Sequence, residues 1–156
     1  MMIKITRNYY ICRKRMYKRF LSERINIRIG SGKAIVITGP RQVGKTTLIE
    51  SILASKDYLL LDGDDPKTRT LLAEPTTEQV RTILGKSKYV FIDEAQRIKG
   101  IGLTMKIITD RFKHVQLFAS GSSSFDLSNK INEPLTGRKW EYQLFPVSWE
   151  EYEGHH

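Results

Sequence analysis

Cysteine and long apolar runs are both scarce in this chain of 156 residues. The single cysteine, Cys12, cannot close an internal disulfide and has no second thiol with which to build a metal cluster, which fits a reducing compartment and an idle or buried thiol. No run of about 18 or more apolar residues is present to cross a bilayer, and the basic N-terminus lacks the unbroken apolar core of a secretory signal. These absences predict a soluble, cytoplasmic protein with no membrane partner. Histidine is nearly missing as well. Outside the terminal pair His155 and His156, His114 stands alone beside an apolar run, and one histidine is not a metal site.

At this length, with 40% hydrophobic and 28% charged residues, the chain can bury one core and is too short for two ordinary domains. Its net charge of +9 has a local origin. Lys4, Arg7, Arg13, Lys14, Arg15, Lys18 and Arg19 fall in the first twenty residues with no acid among them, so the remaining 19 of the 26 bases face 17 acids. Tyr9, Cys12, Met16 and Phe20 recur there at helical spacing, which predicts an amphipathic helix with a basic face. Such a face suits DNA, and it equally suits a solvated helix packed on the main domain. At the other end, "EGHH" has the look of an affinity tag. The expected division is a basic helical segment over 1–30, a main domain over 31–152 that is cut short at its C-terminus, and a tag remnant over 153–156.

Within the main domain, apolar runs of strand length alternate with helical patterns. Strands are expected at Ala34–Thr38, Tyr58–Leu61, Tyr89–Ile92 and Val115–Ala119. Helices are expected around Leu48–Leu53, Pro66–Ala73, Thr77–Leu84 and Leu103–Phe112. That alternation predicts an α/β fold, a mostly parallel sheet covered by helices on both faces.

The chemistry begins at "ITGPRQVGKTTLIE". Gly39-Pro40-Arg41-Gln42-Val43-Gly44-Lys45-Thr46 follows an expected strand and opens an expected helix, the context that a phosphate loop requires. Its glycines let successive backbone N–H groups turn toward phosphate oxygens, and the helix dipole adds to the field. Lys45 is expected on the β and γ phosphates, the Thr46 hydroxyl on a magnesium ion, and Thr47 on the α phosphate. Arg41 is read as structural or solvent-facing.

In "KYVFIDEAQRI" a short apolar strand ends in Asp93-Glu94. In a parallel sheet the carboxyl ends of the strands share one edge, so Asp93 comes out beside the phosphate loop, where it can hold magnesium. Glu94 can then act as general base toward a water molecule. "VQLFASGSSS" runs a further strand into Ser120-Gly121-Ser122. If that strand lies between the other two, a hydroxyl of Ser120 or Ser122 can sense the γ phosphate; alternatively, Ser122 to Ser124 cap a helix around Phe125–Asn129.

"TGPRQVGKTTL", "IDEAQRI", "ASGSSS" and "LTGRKWEYQLFPVSWEEY" together resemble the ATP-binding domain of a family of prokaryotic AAA-type ATPases in which a C-terminal domain of unknown function follows. The resemblance runs from about Gly32 to Tyr152. It implies a P-loop NTPase αβα sandwich in which the Ser120 strand separates the phosphate-loop strand from the Asp93 strand. It also implies Lys45 and Thr46 on phosphates and magnesium, Asp93 and Glu94 at the hydrolytic centre, and Ser120 or Ser122 as sensor. The part of the family where partner recognition is expected lies beyond Tyr152. Some members have nuclease-like character there, which makes a link to DNA an expectation of the resemblance.

Arg138 in "LTGRKW" fits two readings: an arginine finger for its own or a neighbouring subunit, or a turn residue paired with Glu141 or Glu133. Asp62, Asp64 and Asp65 break the calcium-loop pattern and are expected to end a strand and cap the next helix. The functional expectation is magnesium-dependent ATP hydrolysis that drives a protein partner, self-association or a DNA-linked process. A nucleotide switch without turnover and a small-molecule kinase are the alternatives, and a GTPase is disfavoured because "NKIN" lacks the aspartate that would read guanine.

Overall fold

The computed structural model describes residues 17–122 and 124–153. Residues 1–16, and with them Cys12 and most of the expected basic helix, lie outside the described residues, as do 154–156. No helix among the described residues is long and apolar enough to cross a membrane.

Five parallel strands, in the order β2-β3-β4-β1-β5, form one sheet. They are β1 (Ala34–Thr38), β2 (Tyr58–Asp62), β3 (Tyr89–Asp93), β4 (Gln116–Gly121) and β5 (Lys139–Gln143). The helices are α1 (Phe20–Arg28), α2 (Lys45–Leu53), α3 (Pro66–Leu72), α4 (Thr77–Leu84), α5 (Ile101–Arg111), α6 (Ser124–Ile131) and α7 (Trp149–Glu153), with a 3₁₀ turn at Ala95–Arg97. Parallel strands covered on both sides have no solvent-facing row, so β1 reads AIVIT and all of it is buried. Ile35, Ile37, Phe91 and Phe118 face one layer, where they pack with Ile25 of α1 and Leu48, Ile49 and Leu53 of α2. Val36, Val90, Ile92 and Leu117 face the other, with Leu72, Val80, Met105, Ile108 and Leu127 from α3 to α6. The result is the expected three-layer αβα sandwich, with the Ser120 strand between the phosphate-loop strand and the Asp93 strand.

Three differences from the sequence reading matter for the site. β4 begins one residue later than expected and continues through Gly121, so Ser120 lies inside a buried strand rather than after one. At its start the Val115 N–H donates to the Phe112 carbonyl (2.9 Å) and closes the turn after α5, so pairing begins with the Gln116 N–H on the Lys88 carbonyl (2.8 Å). The Gln116 side-chain amide accepts from the Gly30 N–H (2.8 Å) and donates to the Lys33 carbonyl (2.9 Å), fastening the α1–β1 connection to the sheet. β5 was not expected. Its sequence, KWEYQ, is a half-exposed edge strand without an apolar run. Finally, Arg138 immediately precedes β5, and its carbonyl accepts from the Ala34 N–H (2.9 Å) at the start of β1. That places it at the sheet edge opposite the phosphate loop. Its guanidinium Nε donates to Asp110 (2.7 Å), so it pairs with an acid, as one of the two readings expected, but with one supplied by α5. A finger reaching into its own loop is ruled out by that position.

Candidate nucleotide site

The phosphate loop leaves β1 through Gly39 and enters α2 through Gly44. Gly44 (φ 94°) is the N-cap of α2 in the left-handed region, and Gln42 (φ 64°) shares that conformation. Among the described residues no side chain caps α2, and its first turn carries no acid. The leading N–H groups of Lys45, Thr46 and Thr47 and the positive end of the helix therefore stay open to an anion. At Gly39 (φ 148°) an added Cβ would stand 2.2 Å from the carbonyl oxygen of Leu144, so the segment after β5 closes against the loop's first residue. Leu144 is held there by its N–H, which donates to the Thr38 carbonyl (2.7 Å). Pro40 and Arg41 form the exposed rim, and Val43 is half-buried.

Lys45 is buried, and its ammonium donates to the carbonyls of Gly39 (3.0 Å) and Pro40 (2.6 Å). Burial lowers its pKa from the usual lysine value; the charges of Glu94 and Asp93 oppose that effect, and Arg41 adds to it. The ammonium is thus held within the loop by neutral dipoles that a phosphate oxygen can outcompete.

Across the sheet edge, the Thr46 hydroxyl donates to Asp93 Oδ2 (2.9 Å), and the Ser120 hydroxyl donates to Asp93 Oδ1. One carboxylate at the end of β3 joins the phosphate loop to the end of β4. A hydroxyl and a carboxylate side by side are hard oxygen donors. They fit an ion such as magnesium, which takes few protein ligands and keeps waters and phosphate oxygens for the rest.

Glu94 follows in the left-handed region (φ 47°, ψ 42°), a conformation that costs a non-glycine residue roughly 1–2 kcal/mol. Its N–H donates to Asp93 Oδ1 (3.1 Å). The corner is enforced from β2, because the Gly63 N–H donates to the Asp93 carbonyl (2.8 Å) and a Cβ on Gly63 would stand 2.4 Å from the Glu94 carbonyl oxygen. The Glu94 carboxylate accepts from Gln96 Nε2 (2.6 Å), and the same nitrogen donates to the Ser122 hydroxyl (2.8 Å). Gln96 Oε1 is buried without a partner among the described residues. An amide turned the other way would set that oxygen against a carboxylate, so Glu94 dictates the orientation seen.

The structure therefore brings Lys45, Thr46, Asp93, Glu94, Ser120 and Ser122 to one edge and leaves Arg138 at the other. The sequence reading did not find Gln96, although it lies in the quoted "IDEAQRI", nor Gly63. The acidic cluster behaves as expected: Asp62 ends β2, and Asp65 caps α3 by accepting from the Lys67 N–H (3.0 Å). Asp64 pairs with Arg97 (2.6 Å).

A family model described as an AAA domain matches residues 31–153. Over 122 residues the chain is 32% identical to an uncharacterized protein of Mycobacterium tuberculosis, spanning 78% of this chain and 27% of that protein. An uncharacterized protein of Methanocaldococcus jannaschii is 24% identical over 139 residues, 86% of this chain and 31% of its own length. The chain thus spans about a third or less of the curated relatives it matches. Among solved structures, a Walker-type ATPase of Pyrococcus abyssi superposes with a TM-score of 0.65 at 16% identity, covering 92% of this chain and 57% of that one. The Pif1 helicase of Candida albicans gives 0.52 at 16% identity, covering 82% and 40%. These two likenesses show the fold. Taken with the family match across nearly all of the sheet and its loop, they lead to one conclusion: the chain belongs to the AAA domain family, and its main domain is a nucleotide-binding P-loop NTPase domain.

Proposed function

We propose that this domain binds ATP with magnesium and hydrolyses it to ADP and phosphate. The observation that carries the reading is the Thr46–Asp93 hydrogen bond (2.9 Å) with Glu94 as the next residue, because it sets a hard-oxygen pair and a carboxylate base at the mouth of an uncapped helix. The open N–H groups at the start of α2 bind the phosphates, with Lys45 moving from the Gly39 and Pro40 carbonyls onto the β and γ oxygens. Gly39 to Thr47 form the cradle. Thr46 and Asp93 hold the metal site, and a magnesium ion there would neutralise charge developing on the phosphate oxygens. Glu94 takes the proton of the attacking water. Ser120 holds Asp93 in place, and Ser122, linked to Glu94 through Gln96, serves as the sensor.

A second reading, a nucleotide switch without turnover, draws support from the engagement of Glu94 by Gln96, which satisfies the carboxylate within the protein. The two separate in one comparison. Hydrolysis predicts steady-state phosphate release that Glu94→Gln abolishes at unchanged ATP affinity; a switch predicts tight binding with no phosphate released by either protein.

What the hydrolysis serves is carried in this reading by a protein partner, by self-association or by DNA held on the basic N-terminus, within a cytoplasmic protein. Turnover measured with and without DNA tests that coupling. A DNA-linked role predicts stimulation and a DNA affinity that falls steeply with salt as phosphate contacts exchange for counterions; an absence of DNA binding at low salt would end it.

A further inference from the structure

Arg19 lies outside the span matched by the AAA domain family, yet its guanidinium is inserted beside the phosphate loop. Nη1 donates to the Val43 carbonyl (3.0 Å), and Nη2 donates to the Phe145 carbonyl. Nε stands 3.0 Å from Glu151 Oε2 as an ion pair rather than an aligned hydrogen bond. The Glu151 side chain is buried, 8% exposed, and that of Arg19 is mostly covered, 10% exposed. Glu151 is fixed in turn. It accepts from the backbone N–H of Phe20 (2.9 Å) and of Ser148 (3.2 Å), and its own N–H donates to the Ser148 hydroxyl (3.2 Å), forming the N-terminal cap of α7.

The contact with Val43 has a consequence for the loop. The Val43 carbonyl and the Gly44 N–H belong to one planar trans peptide and point in opposite directions. A guanidinium fixing the carbonyl on one side therefore aims the Gly44 N–H to the other side. Gly44 sits in the left-handed region and has no Cβ to restrict it, so nothing in its own covalent structure prevents that peptide from rotating. The second contact, on Phe145, holds the residue after Leu144, whose backbone backs Gly39. One side chain thereby joins the two walls of the loop.

We propose that Arg19 is a positioning residue of the nucleotide site, presenting the Gly44 N–H to the phosphates from outside the span matched by the AAA domain family, with Glu151 as its anchor. The proposal rests on the reading of this loop as an ATP site. It makes the α1 and α7 ends of the chain part of the nucleotide-binding apparatus, because displacing Glu151 frees the guanidinium that holds Val43.

The test compares the whole chain with its Arg19→Lys and Glu151→Gln variants. Lysine keeps the charge but lacks the planar fork that reaches two carbonyls and a carboxylate together; glutamine keeps the shape of Glu151 and removes its charge. ATP affinity by calorimetry, thermal midpoint, and hydrogen exchange at Gly44 with ATP bound are the measurements. Each variant is expected to raise the Kd for ATP at least tenfold in its folded fraction and to lose exchange protection at Gly44, while kcat at saturating ATP falls by less than about threefold. If affinity in the folded fraction matches wild type in both variants, or falls only in proportion to the fraction unfolded, the positioning role is wrong and the cluster serves folding alone. Absence of ATP binding by the wild-type chain would instead overturn the underlying assignment of the loop.

Discussion

Gly39 and Leu144 meet backbone to backbone, at a separation that leaves no room for a side chain: a Cβ on Gly39 would lie 2.2 Å from the Leu144 carbonyl oxygen. Gly39→Ala should therefore push the segment after β5 away from the loop and also strain a positive φ. A loss of about 1–3 kcal/mol in stability is expected, together with weakened nucleotide binding. Chemical denaturation and ATP titration of the same variant check both. A variant with wild-type stability would mean that the Leu144 segment yields freely.

Lys45→Ala should abolish measurable ATP binding, since no other buried cation stands within the loop. The fold should survive, because the removed ammonium is one that burial already disfavours. Retained micromolar affinity by calorimetry would contradict the assignment of the loop.

Glu94 allows stability and activity to be pulled apart. Glu94→Gly relieves a left-handed non-glycine residue and should stabilise the domain by up to about 1 kcal/mol. The same change removes the proposed base, and turnover should fall roughly 10²- to 10⁴-fold. Destabilisation on thermal melting would show that the Glu94–Gln96 hydrogen bond outweighs the backbone strain.

The Arg138–Asp110 pair provides a pH test remote from the nucleotide. The Arg138 hydrogen bond holds the Asp110 carboxyl below its usual value, with the lysines at 113 and 106 adding to the effect. A carboxyl depressed in the fold contributes stability above its unfolded pKa, near 3.9, and loses it as pH falls through the folded value. Arg138→Met should therefore be less stable than wild type at neutral pH, and the difference should close below about pH 4. Turnover should be unchanged. A large, protein-concentration-dependent loss of turnover would show Arg138 acting on a neighbouring subunit.

How much of this was legible depended on the kind of signal each residue carried. The runs IVIT, YLLL and YVFI announce strands of a parallel sheet by their apolar composition, and the phosphate loop is written in contiguous residues. Asp93 could be placed beside Thr46 because a parallel sheet gathers its strand ends at one edge. KWEYQ could not be read as β5, because it alternates polar and aromatic residues without a continuous apolar run and its pairing with β1 is set from a distance. Arg19 was counted into a charged run whose remaining members suit solvent, and only the fold shows it buried against Val43. Of the two readings left open for Arg138, pairing with an acid is the one found, and the acid, Asp110, comes from α5; a finger for its own loop fails because its strand begins where the phosphate loop's strand also begins. Gln96 left a weaker trace, three residues past a strand end, and its role appears only when Ser122 arrives from β4.

The register of β1 against β5, with Ile35 beside Trp140 and Thr38 beside Gln143, bears on the order in which the molecule becomes competent. The phosphate loop is specified early in the chain, but its neighbours on both sides, β4 and β5, and the Leu144 backbone that closes on Gly39 come from its later part. Such long-range pairings form late in folding. During synthesis the loop therefore emerges well before the chain that shapes it, and the capacity to hold a nucleotide reports that the sheet has been assembled out to its last strand.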